Sequence, residues 1–167
     1  MKQYTQQDLN DLSTQARQSP RLRSHKNIHA ELDDPVQRLF IAFEPETYIR
    51  PHRHSDAGKW ECFTLLEGHL SLLIFDDTGT VLDRVELAAD QTRVTEIPPN
   101  TWHTLVCFTP GTQALEVKPG PYVQPSPEDF AAWAPAENMP DTAAALQWFS
   151  HARPGDSVPV QWVTESR

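Results

Sequence analysis

The sequence predicts an all-β domain, either a sandwich or a barrel, with helices before and after it along the chain. The first observation is a series of short runs rich in β-branched and aromatic residues between residues 36 and 120, a pattern typical of strands. The second is that turn-forming residues separate the runs, as at 67–68, 76–79 and 109–111. The eight candidate strands are VQRLFIAF, TYIRPHRH, WECFTLL, HLSLLIF, VLDRVEL, RVTEIP, WHTLVCF and ALEVKP.

Residues 1–35 are predicted to form one amphipathic helix followed by a loop. Thr5 and Asp8 have the spacing of a helix start signal, and the helix should end before Pro20. Its apolar face would consist of Leu9, Leu12 and Ala16. The basic stretch at residues 21–26 is interpreted as a solvated loop.

Residues 121–167 are predicted to be a wrapping segment rather than a separate domain. Eight of the 15 prolines lie in the last 49 residues, and proline is incompatible with the interior of a regular sheet. Two short helices are still expected here. Ser126 can cap one, with Pro127 at its first position, and Asp141 can cap the run TAAALQWF.

Charge and composition exclude several classes of partner. The chain has 14 Lys and Arg against 23 Asp and Glu, a formal net charge of -9, so it lacks the basic surface that nucleic-acid binding needs. It has neither an apolar run long enough for a membrane span nor the apolar core of a signal peptide. We therefore expect a cytoplasmic protein with no nucleic-acid or membrane partner, whose two cysteines, Cys62 and Cys107, are reduced thiols.

Three histidines and a glutamate are the candidate metal ligands. His52 and His54 form a His-x-His pair, and side chains two apart on a strand point to the same face. Glu61 begins the next candidate strand, and His103 begins a later one. Three imidazoles and one carboxylate suit a divalent transition metal such as Zn, Fe, Ni or Mn.

The alternation of side chains along these strands predicts further residues beside the metal. If His52 and His54 face inward, Tyr48 and Arg50 do so as well, and Lys59 and Phe63 accompany Glu61. Tyr48, Arg50 and Lys59 are therefore the candidate catalytic residues, which would orient the substrate or transfer protons.

Four more residues are predicted near the site by the same reasoning. Leu105 and Cys107 share the face of His103, and Glu116 and Lys118 share one face of the last candidate strand. His25 and His29, in the N-terminal stretch, could fold over the mouth of the barrel.

The spacing around the ligands resembles the two sequence motifs of the cupin superfamily. The first motif combines His-x-His, a glutamate and, after six intervening residues, a glycine, which is Gly68 here. The second places a histidine shortly after a proline. The chain departs from the motifs at the two opening glycines, which are Glu46 and Thr92, and at the middle glycine, which is Asn100. Asn replaces Gly most easily where a positive φ is needed. The closing asparagine is Cys107, and the gap between His54 and Glu61 is longer than usual.

A closer resemblance covers nearly the whole chain. The stretches DDPVQR, PHRH, GKWE, FDDTG, EIPPNTWHT, EVKPGPY and DFAAWAPAE together resemble the WbuC-type cupin metalloproteins, small bacterial proteins often encoded with surface-polysaccharide (O-antigen) genes. The resemblance implies a cupin jelly-roll barrel over residues 36–120 with one metal on His52, His54, Glu61 and His103. It implies no particular reaction.

Three functional hypotheses follow. The first is a metal-dependent enzyme acting on a small polar or anionic substrate in surface-polysaccharide or nucleotide-sugar metabolism. The second is a non-catalytic module that binds a small molecule or regulates a partner, and the third is a purely structural metal. A homodimer is expected, because cupin-like barrels often share an edge strand between two copies.

Overall fold

Eight strands form two antiparallel sheets that face one another, in a computed structural model that describes residues 1–165. The large sheet has the order β1-β2-β8-β3-β6, and the small sheet has the order β5-β4-β7. The strands are β1 (Arg23–Asn27), β2 (Val36–Phe43), β3 (Glu61–Glu67), β4 (Leu70–Phe75), β5 (Val81–Leu87), β6 (Val94–Ile97), β7 (Trp102–Cys107) and β8 (Thr112–Pro119). From β5 to β8 the chain alternates between the sheets, which is the connectivity of a jelly roll. The predicted all-β fold is confirmed.

As predicted, helices precede and follow the barrel in the sequence. They are α1 (Gln6–Gln18), a 3-10 turn (Pro127–Asp129), α2 (Thr142–His151) and α3 (Val160–Glu165). The Thr5–Asp8 capping box is present at the start of α1. Asp141 does precede α2, but its side chain makes no capping hydrogen bond. The last two residues of the predicted wrapping segment, 166–167, lie outside the described residues.

Two predictions of local structure are wrong. Residues 47–54 were expected to be a strand, yet they make only isolated bridges, from His52 to His103 and from His52 to Phe130. Pro51 lacks a backbone N–H, which prevents a continuous ladder at this point. The basic stretch expected to be a loop contains β1, which pairs with β2 at the edge of the large sheet. It was missed because its side chains are polar on both faces, so no apolar alternation marks the strand.

Three apolar clusters hold the molecule together. One fills the space between the sheets and includes Phe63 of β3 and Leu105 of β7. A second joins the outer face of the small sheet to the C-terminal segment, through residues such as Phe75 and Phe149. A smaller cluster packs α1 on the outer face of the large sheet. The interior cluster stops short of one end of the barrel, where the predicted metal ligands lie. Within the described part of the chain, no helix is long and apolar enough to cross a membrane.

Gly68 offers a test of how the turn between β3 and β4 packs against the start of β8. Its φ is +89°, and an added Cβ would clash with Oγ1 of Thr112. Gly111 has a similar φ of +73° with nothing within 4 Å of the same position. We expect Gly111→Ala to lower the free energy of unfolding by about 1–2 kcal/mol, the cost of a left-handed backbone. Gly68→Ala should add about 1–3 kcal/mol for overpacking. Urea denaturation of the two variants measures the difference, and equal losses would contradict a close approach of Gly68 to Thr112.

Candidate metal centre

The backbone brings the four predicted ligands together at the open end of the barrel. His52 and His103 form an antiparallel bridge, with N–O distances of 3.0 and 2.9 Å between their main chains. The His54 carbonyl accepts a hydrogen bond of 2.8 Å from the backbone N–H of Asn100. Glu61 begins β3 in the large sheet, whereas His103 lies on β7 in the small sheet. The cluster therefore spans the gap between the two sheets.

One ligand atom from each of these four residues lies within 4.8 Å of the others. Nε2 of His54 is 2.9 Å from Oε1 of Glu61, and Nε2 of His103 is 2.9 Å from Oε2 of the same carboxylate. Two atoms that each lie about 2.1 Å from one metal ion are at most about 4.2 Å apart. The four atoms are therefore close to the spacing that one ion requires, and they need to move inward to coordinate it.

The hydrogen bonds of the rings leave lone pairs directed into the cluster. Nδ1 of His52 is 3.1 Å from the Arg50 carbonyl, and Nδ1 of His103 is 2.8 Å from the Thr101 carbonyl. A carbonyl only accepts, so both Nδ1 atoms carry the proton and both Nε2 atoms are left to coordinate. Nε2 of His54 and Oε2 of Glu61 are buried without an aligned hydrogen bond. Because buried polar atoms are nearly always satisfied, these atoms fit a metal ion.

Electrostatics favours the metal-binding form of two of these groups. Burial, with a smaller contribution from the charge of His103, lowers the pKa of His52 to about 3, so its imidazole is neutral. Burial alone would raise the pKa of Glu61, but the approach of His103 and His54 lowers this pKa well below its ordinary value. Burial likewise opposes protonation of His103, yet the Glu61 carboxylate raises the pKa of this histidine. A proton on His103 therefore competes with the metal, whereas His52 and Glu61 are already in the coordinating state.

A lysine and a second glutamate from β8 adjoin the cluster, as their alternation predicted. Nζ of Lys118 is 3.1 Å from Oε1 of Glu61 and 2.5 Å from Oε1 of Glu116. Burial raises the pKa of Glu116 to about 7; Lys118 opposes this shift, and the charge of Glu61 adds to it. The ammonium of Lys118 thus lies between two carboxylates, one of which is a candidate ligand.

The cluster opens into a cavity of about 320 Å³. One wall is apolar and is formed by Leu39, Ile41, Phe43, Ile49, Phe63 and Leu105. Charged groups line the rest of the cavity, including Arg50, Glu116 and Lys118. We call this space the metal cavity. Its mixed walls suit a small ligand with both polar and apolar parts.

Of the three candidate catalytic residues, the structure brings Arg50 to the metal cavity. Its guanidinium donates from Nε and one terminal nitrogen to the Ala131 carbonyl, at 3.1 and 2.7 Å. The prediction that Tyr48 faces the metal is wrong. Tyr48 lies in the cluster outside the small sheet, where its hydroxyl donates to the Pro135 carbonyl at 2.7 Å. Strand alternation does not apply here, because residues 47–50 are not in a strand.

Strand alternation also predicted the wrong position for Lys59, which it placed beside the metal with Glu61. Its ammonium donates to the carbonyls of Pro119 and Pro121, at 3.1 and 2.6 Å. It lines a separate cavity of about 160 Å³ that shares His54 and Lys118 with the metal cavity. The irregular segment before β3 removes the constraint that would have aligned Lys59 with Glu61.

Sequence reasoning missed three charged residues of the metal cavity: Arg21, Arg23 and Glu137. Arg21 and Arg23 precede and begin β1, and recognising that strand would have revealed them. Nothing in the sequence pairs Glu137 with them, since it is more than 110 residues further along the chain. Of the two N-terminal histidines, His25 lines the cavity as predicted. His29 is buried, with Nδ1 2.9 Å from the Arg38 carbonyl, and it does not line the cavity.

The departures from the cupin motifs have a structural explanation at two positions. Asn100 has a φ of +55°, which is the conformation for which Asn best replaces Gly. Glu46, at an opening-glycine position, has a φ of +72°. Both residues therefore keep the left-handed backbone expected of the glycine they replace. Gly68 itself is retained and left-handed.

Arg53, between the two ligand histidines, points to the opposite face. The centre of its guanidinium lies 4.3 Å from the centroid of the Trp102 ring, and Trp102 directly precedes His103. The backbone N–H of Arg53 donates to the Asp129 carbonyl at 2.9 Å. These contacts attach the His-x-His segment to β7 and to the 3-10 turn.

The jelly-roll barrel thus carries three histidines and a glutamate at its open end. Among the solved structures to which the chain is similar, several are named as cupin proteins. The chain belongs to the family described as Domain of unknown function (DUF6016), whose model matches residues 4–87. That range includes His52, His54 and Glu61. None of the curated proteins matches the chain.

Three solved structures illustrate the similarity. KdgF from Halomonas sp. is 14% identical, with a TM-score of 0.48, over 60% of this chain and 82% of that chain. A cupin superfamily protein from Desulfitobacterium hafniense DCB-2 is 13% identical, with a TM-score of 0.46, over 58% and 76%. A cupin 2 conserved barrel domain protein from Rhodopseudomonas palustris is 20% identical, with a TM-score of 0.45, over 64% and 69%. Similarity at this level transfers neither a ligand nor a reaction.

Metal content tests the ligand set. We expect the purified protein to hold about one transition-metal ion per chain, because the four ligand atoms converge on one point. His52→Ala, His54→Ala and His103→Ala should each abolish retention without unfolding the barrel. His151→Ala, at an exposed position at the end of α2, is the matched control and should retain the metal. Elemental analysis measures the content, and metal-free protein that also takes up no added metal would refute the site.

Glu61→Gln tests the role of the carboxylate. The amide oxygen is a neutral and weaker ligand, so metal affinity should fall by about 10- to 100-fold without disappearing. Competition with a chromogenic chelator measures the affinity. An unchanged affinity would place Glu61 beside the metal rather than on it.

Proposed function

We propose that this protein is a metal-dependent enzyme that acts on a small anionic substrate bound in the metal cavity. The observation that carries the proposal is the set of three imidazoles and one carboxylate at the base of a cavity of about 320 Å³. A purely structural metal would need no such cavity. The large interior core also makes a stabilising metal unnecessary, since barrels of this size fold without one.

The charge of the cavity supports an anionic substrate. Four cationic side chains and three carboxylates line it, which leaves one excess positive charge before a divalent ion adds two more. The cations are Arg21, Arg23, Arg50 and Lys118, and the carboxylates are Glu61, Glu116 and Glu137. Among the described residues, no carboxylate lies within ion-pair distance of Arg50. Its charge is therefore free to attract an acid group.

The roles of the protein groups follow from their positions. A bound metal would act as a Lewis acid toward a carbonyl, hydroxyl or carboxylate oxygen of the substrate. Arg50, held by the Ala131 carbonyl, would orient the substrate's acid group. The hydrogen-bonded pair Lys118 and Glu116 lies beside Glu61 and would hold or transfer a proton. The apolar wall would exclude water from the other side of the substrate.

The biological setting is proposed from the resemblance to WbuC-type cupins. That resemblance supports a substrate from surface-polysaccharide (O-antigen) or nucleotide-sugar metabolism and a cytoplasmic protein. A homodimer is proposed as the working form. The unpaired edge strand β6, whose Val94 is exposed, supports association through a sheet edge.

A non-catalytic small-molecule-binding or regulatory cupin is the second candidate function. The observation that favours it is the position of Tyr48 and Lys59, two candidate proton-transfer residues that lie away from the metal cavity. Incubating metal-loaded protein with nucleotide sugars and small carboxylates separates the two functions. Metal-dependent product formation supports the enzyme, whereas saturable binding with no product after prolonged incubation supports the binding module.

Arg50→Met tests the anionic substrate. We expect metal-loaded protein to bind citrate or a nucleotide sugar, and the substitution should weaken this binding by about tenfold, because a charge-assisted hydrogen bond is lost. Arg38→Met is the matched control, since Arg38 is exposed on β2 and does not line the cavity. Calorimetric titration measures both affinities. Equal binding by the two variants would argue for a neutral ligand.

A further inference from the structure

A carboxylate of the chain itself occupies the positively charged side of the metal cavity. Glu137 accepts hydrogen bonds from Nε and one terminal nitrogen of Arg21, at 2.9 and 2.8 Å. It also accepts one of 2.5 Å from Arg23. All three residues line the metal cavity. Two guanidinium groups thus hold one acid group in the same space as the metal ligands.

The arginine side of this contact is held in place independently of Glu137. One terminal nitrogen of Arg23 donates to the Tyr48 carbonyl at 2.9 Å and to Oγ1 of Thr47 at 3.2 Å. Its backbone lies in β1, paired with β2. The Arg23 side chain is only 14% exposed. This guanidinium would therefore stay in position if Glu137 left.

The glutamate side is held much less firmly. Glu137 lies in a turn whose neighbouring residues, 136 and 138–140, are exposed. The backbone hydrogen bonds from Met139 and Thr142 go to Ala136 and Met139, so they are local to the turn. The turn is attached to the barrel at Pro135, which accepts from Tyr48, and continues into α2. The turn can therefore move outward without disturbing the sheets.

We propose that Arg21 and Arg23 form a binding site for a carboxylate or phosphate group of the ligand, and that Glu137 is an internal occupant that the ligand displaces. The proposal deepens the proposed function, because it rests on the metal cavity as the ligand site. A planar guanidinium matches the paired oxygens of either acid group. Because Arg23 is largely buried, an anion is a better occupant of this position than a neutral group.

The site defines the class of substrate more narrowly. The ligand needs an oxygen donor for the metal at one end and an acid group for the arginine pair at the other. Displacing Glu137 removes one of the three carboxylates that line the cavity. The ligand therefore meets a higher net positive charge than the cavity has while Glu137 is bound to the arginines. A compound with two acid groups, or one acid group and a hydroxyl or carbonyl oxygen, meets these requirements.

Anion affinity of two matched variants tests the proposal. Glu137→Gln removes the competing charge and keeps the shape, whereas Glu128→Gln removes an exposed charge from the same segment. Metal-loaded protein is titrated with inorganic phosphate, with succinate and with neutral glucose. We expect Glu137→Gln to bind phosphate or succinate about tenfold more tightly than the wild type, Glu128→Gln to match the wild type, and glucose to show no difference. The tighter of the two anions identifies the acid group.

Removing an arginine of the pair should have the opposite effect, which is weaker anion binding. Arg23→Met should bind the preferred anion at least tenfold more weakly than the wild type. Arg21→Met, at a more exposed position, serves if the first variant does not fold. Equal affinity of Glu137→Gln and Glu128→Gln for both anions would overturn the proposal.

Hydrogen exchange reports the displacement directly. Adding the anion to the wild type should speed amide exchange in residues 136–141, because the turn loses its attachment, and Glu137→Gln should exchange fast from the start. Unchanged or slower exchange in the wild type would count against displacement. Repeating the titrations after metal removal separates the two proposals. If Glu137→Gln still binds the anion tenfold more tightly without metal, the arginine site is supported even if the metal-dependent function fails. If the protein retains its metal but Glu137→Gln does not change anion affinity, the arginine site alone is overturned.

Discussion

The Glu61 carboxylate is the contact on which the open end of the barrel depends. It begins a strand of the large sheet and meets His103 from the small sheet, His54 from the connecting segment and Lys118 from the neighbouring strand, all within 3.1 Å. At 3% exposure it could not remain charged without these partners. The same charge that joins the sheets also supplies the anionic ligand of the candidate metal centre. Structural and chemical roles therefore coincide in one side chain.

The ligand set could be predicted from the sequence because it depends on local rules. His52 and His54 are two residues apart, and Glu61 and His103 begin strands whose apolar alternation is clear. The seven strands of this kind were found for the same reason. Their inward faces bury Phe63 and Leu105, and this burial fixes the register of the strands. Glu61 and His103 lie two positions earlier, so their side chains point to the same face.

The rest of the site could not be predicted because it depends on contacts distant in sequence or on irregular backbone. Alternation fails for Tyr48, because Pro51 and the left-handed Glu46 interrupt the segment before the histidines. It fails for Lys59, because the loop before β3 is not extended. Strand β1 is polar on both faces, so only its pairing with β2 identifies it. Glu137 reaches the cavity through the packing of the C-terminal segment, which no local pattern encodes.

The contact between Arg53 and Trp102 gives the molecule an optical property. The indole lies on the strand that carries His103, with only the backbone between the ring and the ligand, and its Nε1 donates to Asp77 at 2.9 Å. Indole emission responds to the position of a nearby guanidinium and to hydrogen bonding at the ring nitrogen. Any shift of the His-x-His segment relative to β7 alters both. One of the five tryptophans of the chain is therefore placed where its emission would respond to a movement of the histidine cluster.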